Sequence, residues 1–249
     1  MALKKAPGLI PAVDMPLGKA IVYIDKLKGL ENEITGLKIG SEIVDEFGLL
    51  VTNHLLEQID NEYPVILDLQ KRGNDVPEFI RRQVGLAKKY AVCSYIGHPV
   101  GSGSSGKFGD KEMGSLQAFV GYCKENDIEP VIVLELTSPG SGFFLREGAR
   151  EDLARKSKEL GVKYFVAPAT RPERIKVYRK IIGEDAEIIS PGVGPQKTGD
   201  PVKDAVEAVY AGADHLVIGR ALYNSSNPPE TAKTIFDAVY EAYMKRKGL

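Results

Sequence analysis

Eight short runs of β-branched and apolar residues alternate with longer amphipathic stretches from one end of this chain to the other. The runs are Gly8–Val13, Gly36–Ile39, Val65–Asp68, Ala91–Ile96, Pro130–Glu135, Tyr164–Val166, Ala186–Ser190 and His215–Ile218. Strands that alternate with helix-length segments call for crossover connections, and hence for a parallel sheet covered by helices. Eight such units, bounded by Gly, Pro, Ser and Asp at the helix ends, predict an α/β fold, a (β/α)8 barrel. A doubly wound open sheet uses the same elements, but no Gly-x-Gly-x-x-Gly follows the first run. The 249 residues match the roughly 250 of such a barrel. No linker interrupts the alternation, so residues 1–249 are expected to form one domain. The Gly/Ser stretch from His98 to Gly109 reads as a mobile loop between the fourth strand and its helix.

The charge balance of 33 basic against 34 acidic residues gives no global field for nucleic acid or an anionic membrane. An anionic ligand must then be held by local groups. Cys93 and Cys123 lie 30 residues apart in apolar stretches and read as reduced core residues, not metal ligands. The basic N-terminus leads into an apolar stretch broken by Pro7, Pro11 and Asp14, too short for a signal or membrane segment. A cytoplasmic protein is expected.

Special residues gather where the strands end: Asp14 after the first, Lys38 in the second, Asp68 and Lys71 at the third, Thr137 after the fifth, Gln196 after the seventh, and Gly219-Arg220 after the eighth. In a barrel of this kind the C-terminal strand ends converge on one site. The segments Ser190-Pro-Gly-Val-Gly-Pro-Gln196 and Val217-Ile-Gly-Arg-Ala-Leu-Tyr223 occupy the two positions where such barrels most often bind phosphate. Their glycines admit close backbone approach to an anion, and Arg220 offers a forked pair of charged donors. At the third strand, Asp68 and Asp75 flank Lys71, an arrangement in which the lysine neutralises both acids and the acids keep it protonated. Taken singly, these residues have plainer readings: a polar loop for the cluster, an N-cap for Asp14, a snorkelling side chain for Lys38, and a turn residue for Thr137. His98 has no carboxylate partner in sequence and is read as loop structure.

Together these segments resemble the orotidine 5′-phosphate decarboxylase family over nearly the whole chain. The resemblance rests on Ala-Val-Asp14-Met, Leu-Lys38-Ile-Gly, the Asp68, Lys71 and Asp75 cluster, His98-Pro-Val-Gly, Glu135-Leu-Thr-Ser-Pro-Gly140 and the two glycine turns, which are its most specific parts. It implies decarboxylation of orotidine 5′-monophosphate without metal or organic cofactor. It further implies that Lys71 stabilises and protonates the C6 carbanion, that Lys38 orders Asp68, and that Asp14 and Lys38 contact the ribose. Thr137 is placed at the pyrimidine edge, and Pro191, Gln196, Gly219 and Arg220 around the phosphate. Asp75 is implied to cross a homodimer interface into the partner's site.

The chain departs from the family pattern in one respect that bears on chemistry. The family spaces acid, lysine and acid at i, i+2 and i+5, whereas Asp68, Lys71 and Asp75 stand at i, i+3 and i+7. A regular strand would face Gln70 with Asp68 and turn Lys71 away; a bulge near Leu69–Gln70 would return Lys71 to the interior. Counting back from Asp75 puts Arg72 at the lysine position, where a guanidinium is a poor proton donor. Phe79 also replaces a small polar residue of the family. Two other readings stand beside the decarboxylase: a related phosphosugar lyase that uses Mg2+, and a nucleotide-phosphate binding protein without turnover.

Overall fold

A computed structural model describes the chain except for residues 1–2, 4–5, 59–62, 71–72, 102–106, 109–110 and 113. Eight strands, β1 (Gly8–Val13), β2 (Leu37–Gly40), β3 (Val65–Asp68), β4 (Val92–Gly97), β5 (Glu129–Val133), β6 (Tyr164–Val166), β7 (Glu187–Pro191) and β8 (His215–Ile218), close into a parallel barrel in which β1 pairs with both β2 and β8. The expected (β/α)8 architecture is therefore what the chain adopts. Four strands have the bounds read from sequence. β4 starts one residue late because Ala91 takes a left-handed φ of 57°, which no strand residue can hold. β5 stops at Val133, two residues short of Glu135: Leu134 still donates to Val166 O, and the chain then turns to side-chain partners.

The helices are α1 (Leu17–Lys26), α2 (Ser41–Phe47), α3 (Leu50–Gln58), α4 (Pro77–Lys89), α5 (Ser115–Glu125), α6 (Glu147–Glu159), α7 (Pro172–Ile182), α8 (Pro201–Ala211), α9 (Arg220–Tyr223) and α10 (Pro228–Lys247). Proline at the first turn of α4, α7, α8 and α10 fits φ to the helix at a position whose N–H has no intrahelical partner anyway. The Asp200 carboxylate completes the start of α8 by accepting from the N–H groups of Val202 and Lys203. Near the end of the Gly/Ser stretch, Lys107–Phe108 pairs with Lys111–Glu112, just beyond it, in a short antiparallel ladder. Much of the rest of that stretch lies outside the described residues.

The period of two along each strand sorts side chains into two cores. Leu9, Val13, Leu37, Ile39, Leu67 and Ile132 point outward beneath the helices. Ile10, Ala12, Ile66, Ile96, Val131, Val133, Val166, Ile189 and Val217 fill the barrel. Cys93 and Cys123 are buried and unpaired by any disulfide. Among the described residues no helix is long and apolar enough to cross a membrane.

Candidate functional site at the C-terminal strand ends

The same parity that fills the barrel also builds the cavity above it. Continuing each inward-facing row past the last apolar layer gives Asp14 beyond Ala12, Asp68 and then Gln70 beyond Ile66, Glu135 and then Thr137 beyond Val133, and Gly219 beyond Val217. All of these, with Lys38, Pro191, Gln196, Arg220 and Tyr223, line one cavity of about 240 Å3. Of the site residues expected from sequence, Asp14, Lys38, Asp68, Thr137, Pro191, Gln196, Gly219 and Arg220 are therefore brought together.

On one wall, Lys38 Nζ lies 3.0 Å from Asp14 Oδ1 and 3.0 Å from Asp68 Oδ2. Burial pushes the Lys38 ammonium toward a lower pKa, but the charges of Asp68 and Asp14 and the hydrogen bonds to them outweigh it and hold the group above its usual range. Lys38 thus stays charged at any physiological pH. Asp14 caps nothing: α1 begins after Pro16 with no side-chain cap. Gly40 makes the Asp14–Lys38 contact possible, because a Cβ there would stand 2.2 Å from Asp14 Oδ1. Sequence reading took Gly40 only as part of a motif. The parity of Lys38-Ile-Gly40, which places the missing side chain on the inward row, was the signal for its role.

The third strand resolves the spacing question for Gln70. The register shift between β3 and β4 falls between Val65 and Ile66, where Cys93 of β4 is skipped, not near Leu69–Gln70. Gln70 consequently keeps the parity of Asp68, lines the cavity, and donates from Nε2 to Asp68 Oδ2 at 3.4 Å. Asp68 Oδ1 is buried and has no hydrogen-bond partner among the described residues. Lys71, the expected proton donor, lies outside the described residues, as does Arg72. Asp75 is exposed, accepts from the Val76 N–H at 2.8 Å, and does not line the cavity. Phe79 is 51% exposed, with the Arg82 guanidinium 5.4 Å above its ring.

The opposite wall is formed by the turns after β7 and β8. Gly192 and Gly194 have φ of 99° and 79°, values open to glycine at little cost. A Cβ on Gly192 would stand 2.9 Å from Thr170 Cγ2 and 3.1 Å from Thr137 Cγ2, so this turn and the loop after β5 pack directly on one another. The loop beyond is fixed by Asp204, fully buried on α8, which accepts from Gly194 N–H at 2.9 Å, Thr198 N–H at 3.3 Å and Thr198 Oγ1 at 2.7 Å. Asp204 had no sequence signal, because its partners are two backbone N–H groups and one hydroxyl on a loop six to ten residues away. Tyr223 lines the cavity and meets the buried Tyr23 edge to face at 6.3 Å.

Between the walls, Glu135 sits 3% exposed among three arginines and a tyrosine. Burial pushes its carboxyl up, but hydrogen bonds from Tyr178, Arg171 and Arg174 and the charge of Arg150 more than offset this and lower its pKa. Burial alone lowers the pKa of His98. Among the described residues no group of three or more His, Cys, Asp or Glu side chains is placed to hold a metal ion.

Fold and site together define the class: a (β/α)8 barrel whose polar cavity has a carboxylate–lysine wall on one side and glycine turns with an arginine on the other. The chain belongs to the orotidine 5′-phosphate decarboxylase / HUMPS family, whose model matches residues 7–235. Among its relatives, the orotidine 5′-phosphate decarboxylase of Methanococcoides burtonii is 36% identical over 206 residues, covering 82% of this chain and 85% of that protein. That of Pyrococcus horikoshii is 28% identical over 234 residues, covering 93% and 98%. The crystal structure of the Methanocaldococcus jannaschii enzyme, complexed with the inhibitor BMP, superposes with a TM-score of 0.76 at 26% identity, covering 94% of this chain and 99% of that one.

Proposed function

We propose that this chain decarboxylates orotidine 5′-monophosphate to UMP in pyrimidine biosynthesis. One observation carries the reading: the Asp14–Lys38–Asp68 wall and the Pro191, Gln196, Gly219 and Arg220 wall face each other across one cavity in a member of this family. On this reading Arg220, Gln196 and the glycine turns hold the phosphate, Asp14 and Lys38 the ribose, and Thr137 the pyrimidine edge. The C6–carboxylate bond breaks, CO2 leaves, and the electron pair stays on C6 with no conjugated sink. A fixed ammonium is the group that stabilises such localised charge, and Lys71 then transfers its proton to C6. Asp68 Oδ1, buried and without a hydrogen-bond partner among the described residues, supports a second cation arriving beside Lys38, since a buried carboxylate oxygen is costly without one. The chemistry calls for no metal or organic cofactor.

We read residues 1–249 as one domain of a cytoplasmic homodimer in which Asp75 serves the partner's site. Its exposure, beside exposed Val76 and Phe79, supports that placement. The test is incubation with orotidine 5′-monophosphate while following the loss of its ultraviolet absorbance. Wild-type protein is expected to turn over and Lys71→Ala to be inactive while still binding UMP, with Arg72→Ala less affected. An essential Arg72 and a dispensable Lys71 would reverse the assignment.

A second reading has its own observation. Gln70, not an ammonium, continues the inward row after Asp68, and an amide does not supply a proton. A nucleotide-monophosphate binding protein without turnover would fit that geometry. It predicts UMP binding with no change in absorbance.

A further inference from the structure

Glu135 lines the cavity, yet its carboxylate has nothing left to offer a ligand. Arg150 Nη1 stands 2.6 Å from Oε1, and Arg171 Nε donates to the same oxygen at 2.7 Å. Arg174 Nε and Tyr178 OH donate to Oε2 at 3.1 and 2.8 Å. Oε2 therefore accepts two hydrogen bonds, while Oε1 accepts one and is in ion-pair contact with a second guanidinium, so both oxygens are occupied. The beneficiary is Arg171. Its Nε is held by Glu135, which aims the rest of the guanidinium at the loop after β5: Nη2 donates to Leu136 O and to Ser141 Oγ at 3.0 Å, and Nη1 to Thr137 O at 3.4 Å. Thr170 Oγ1 adds a second donor to Thr137 O at 3.4 Å. One planar fork thus ties both ends of the segment from residue 136 to 141, and a lysine has no such geometry.

We propose that Glu135 is a positioning residue for ligand recognition: by orienting Arg171 it fixes the backbone on which Thr137 faces the base of a bound nucleotide. The proposal rests on the nucleotide reading above. It separates two kinds of ligand, because the phosphate and sugar groups are assigned to other strand ends. Removing the Glu135 charge should therefore weaken a pyrimidine nucleotide and spare a sugar phosphate.

The test is isothermal titration of the full chain with UMP and with ribose 5-phosphate, in wild type and in Glu135→Gln. The expected result is a UMP Kd raised about tenfold or more by the lost charge-assisted bond, with the ribose 5-phosphate Kd changed by less than about twofold. Unchanged UMP affinity, or equal losses for both ligands, would overturn the positioning role. Should Glu135→Gln not fold, Arg171→Lys keeps the cation beside Glu135 but loses the fork, and the same split between ligands is required of it. Wild-type protein that holds ribose 5-phosphate but not UMP would overturn the nucleotide reading and this role together. UMP binding that is tight in wild type and intact in both variants would overturn this role alone.

Discussion

Lys38 and Asp68 meet at 3.0 Å although neither is the other's partner in the sheet: Lys38 stands opposite Ile66, and Asp68 opposite Gly40. The contact runs diagonally across the β2–β3 seam, through the space that Gly40 leaves empty on the inward row. Asp14 enters the same space from β1, so three strands and one absent side chain define the wall.

Lys38→Met should leave two carboxylates facing each other without their cation. Breaking a largely buried pair costs roughly 3–5 kcal/mol, and the lower end applies because the Asp14 side chain is 43% exposed. Denaturant unfolding should show that loss, and turnover should fall by about a hundredfold or more. Undiminished turnover in a folded Lys38→Met protein would remove Lys38 from the mechanism.

Gly40→Ala should be harmful out of proportion to its size. The new Cβ would lie 2.2 Å from Asp14 Oδ1 and 3.5 Å from Lys38 Nζ, so Asp14 must swing away from the lysine. The expected destabilisation is about 1–3 kcal/mol, with weakened ligand binding. Pairing it with Asp14→Ala checks the cause, since the smaller side chain should relieve the steric part of the penalty in a double-mutant cycle.

Stability should be flat with pH across the middle range and fall on both sides. Lys38 has a raised folded pKa, so its contribution is complete below 10.5 and is lost as pH rises through the folded value. His98 has a lowered one, so its contribution is present above 6.5 and is lost as pH falls below that value. Glu135, also lowered, adds a further loss as pH falls below 4.5. Urea midpoints should therefore hold between 6.5 and 9.0, above which the buried Cys93 and Cys123 thiols, both raised by burial, begin to lower stability as their unfolded counterparts ionise. A decline beginning near pH 8 would contradict the Lys38 assignment.

Mixing two inactive variants tests the shared site. If Asp75 serves the partner, Lys71→Ala and Asp75→Asn homodimers are both inactive, but a heterodimer carries one intact site. Random reassortment makes half the dimers hybrid, so about a quarter of wild-type activity should return. Light scattering on the same samples reports the dimer, and no recovery after proven subunit exchange would place Asp75 outside the site.

The sequence by itself determined the barrel and most of the strand ends that meet in it. Period two within β-branched runs and turn residues between them are local signals, and closure of eight such units follows from burying both faces of a parallel sheet. Asp14, Lys38, Asp68 and Arg220 were legible for the same reason: a polar residue at the end of an apolar run has one place to point. Tertiary structure alone decided what these residues touch. Gly40 matters only because Asp14 arrives from another strand, Asp204 because a loop folds back over α8, and Glu135 because three arginines from α6 and the start of α7 converge on it. The departure at the third strand lies between the two. Parity fixed Gln70 beside Asp68, whereas the direction of Lys71 depends on how the chain absorbs two extra residues once the strand's hydrogen-bond ladder has ended. Contacts between residues distant in the chain are set by strand register and loop closure, which are properties of the whole barrel and not of any one segment.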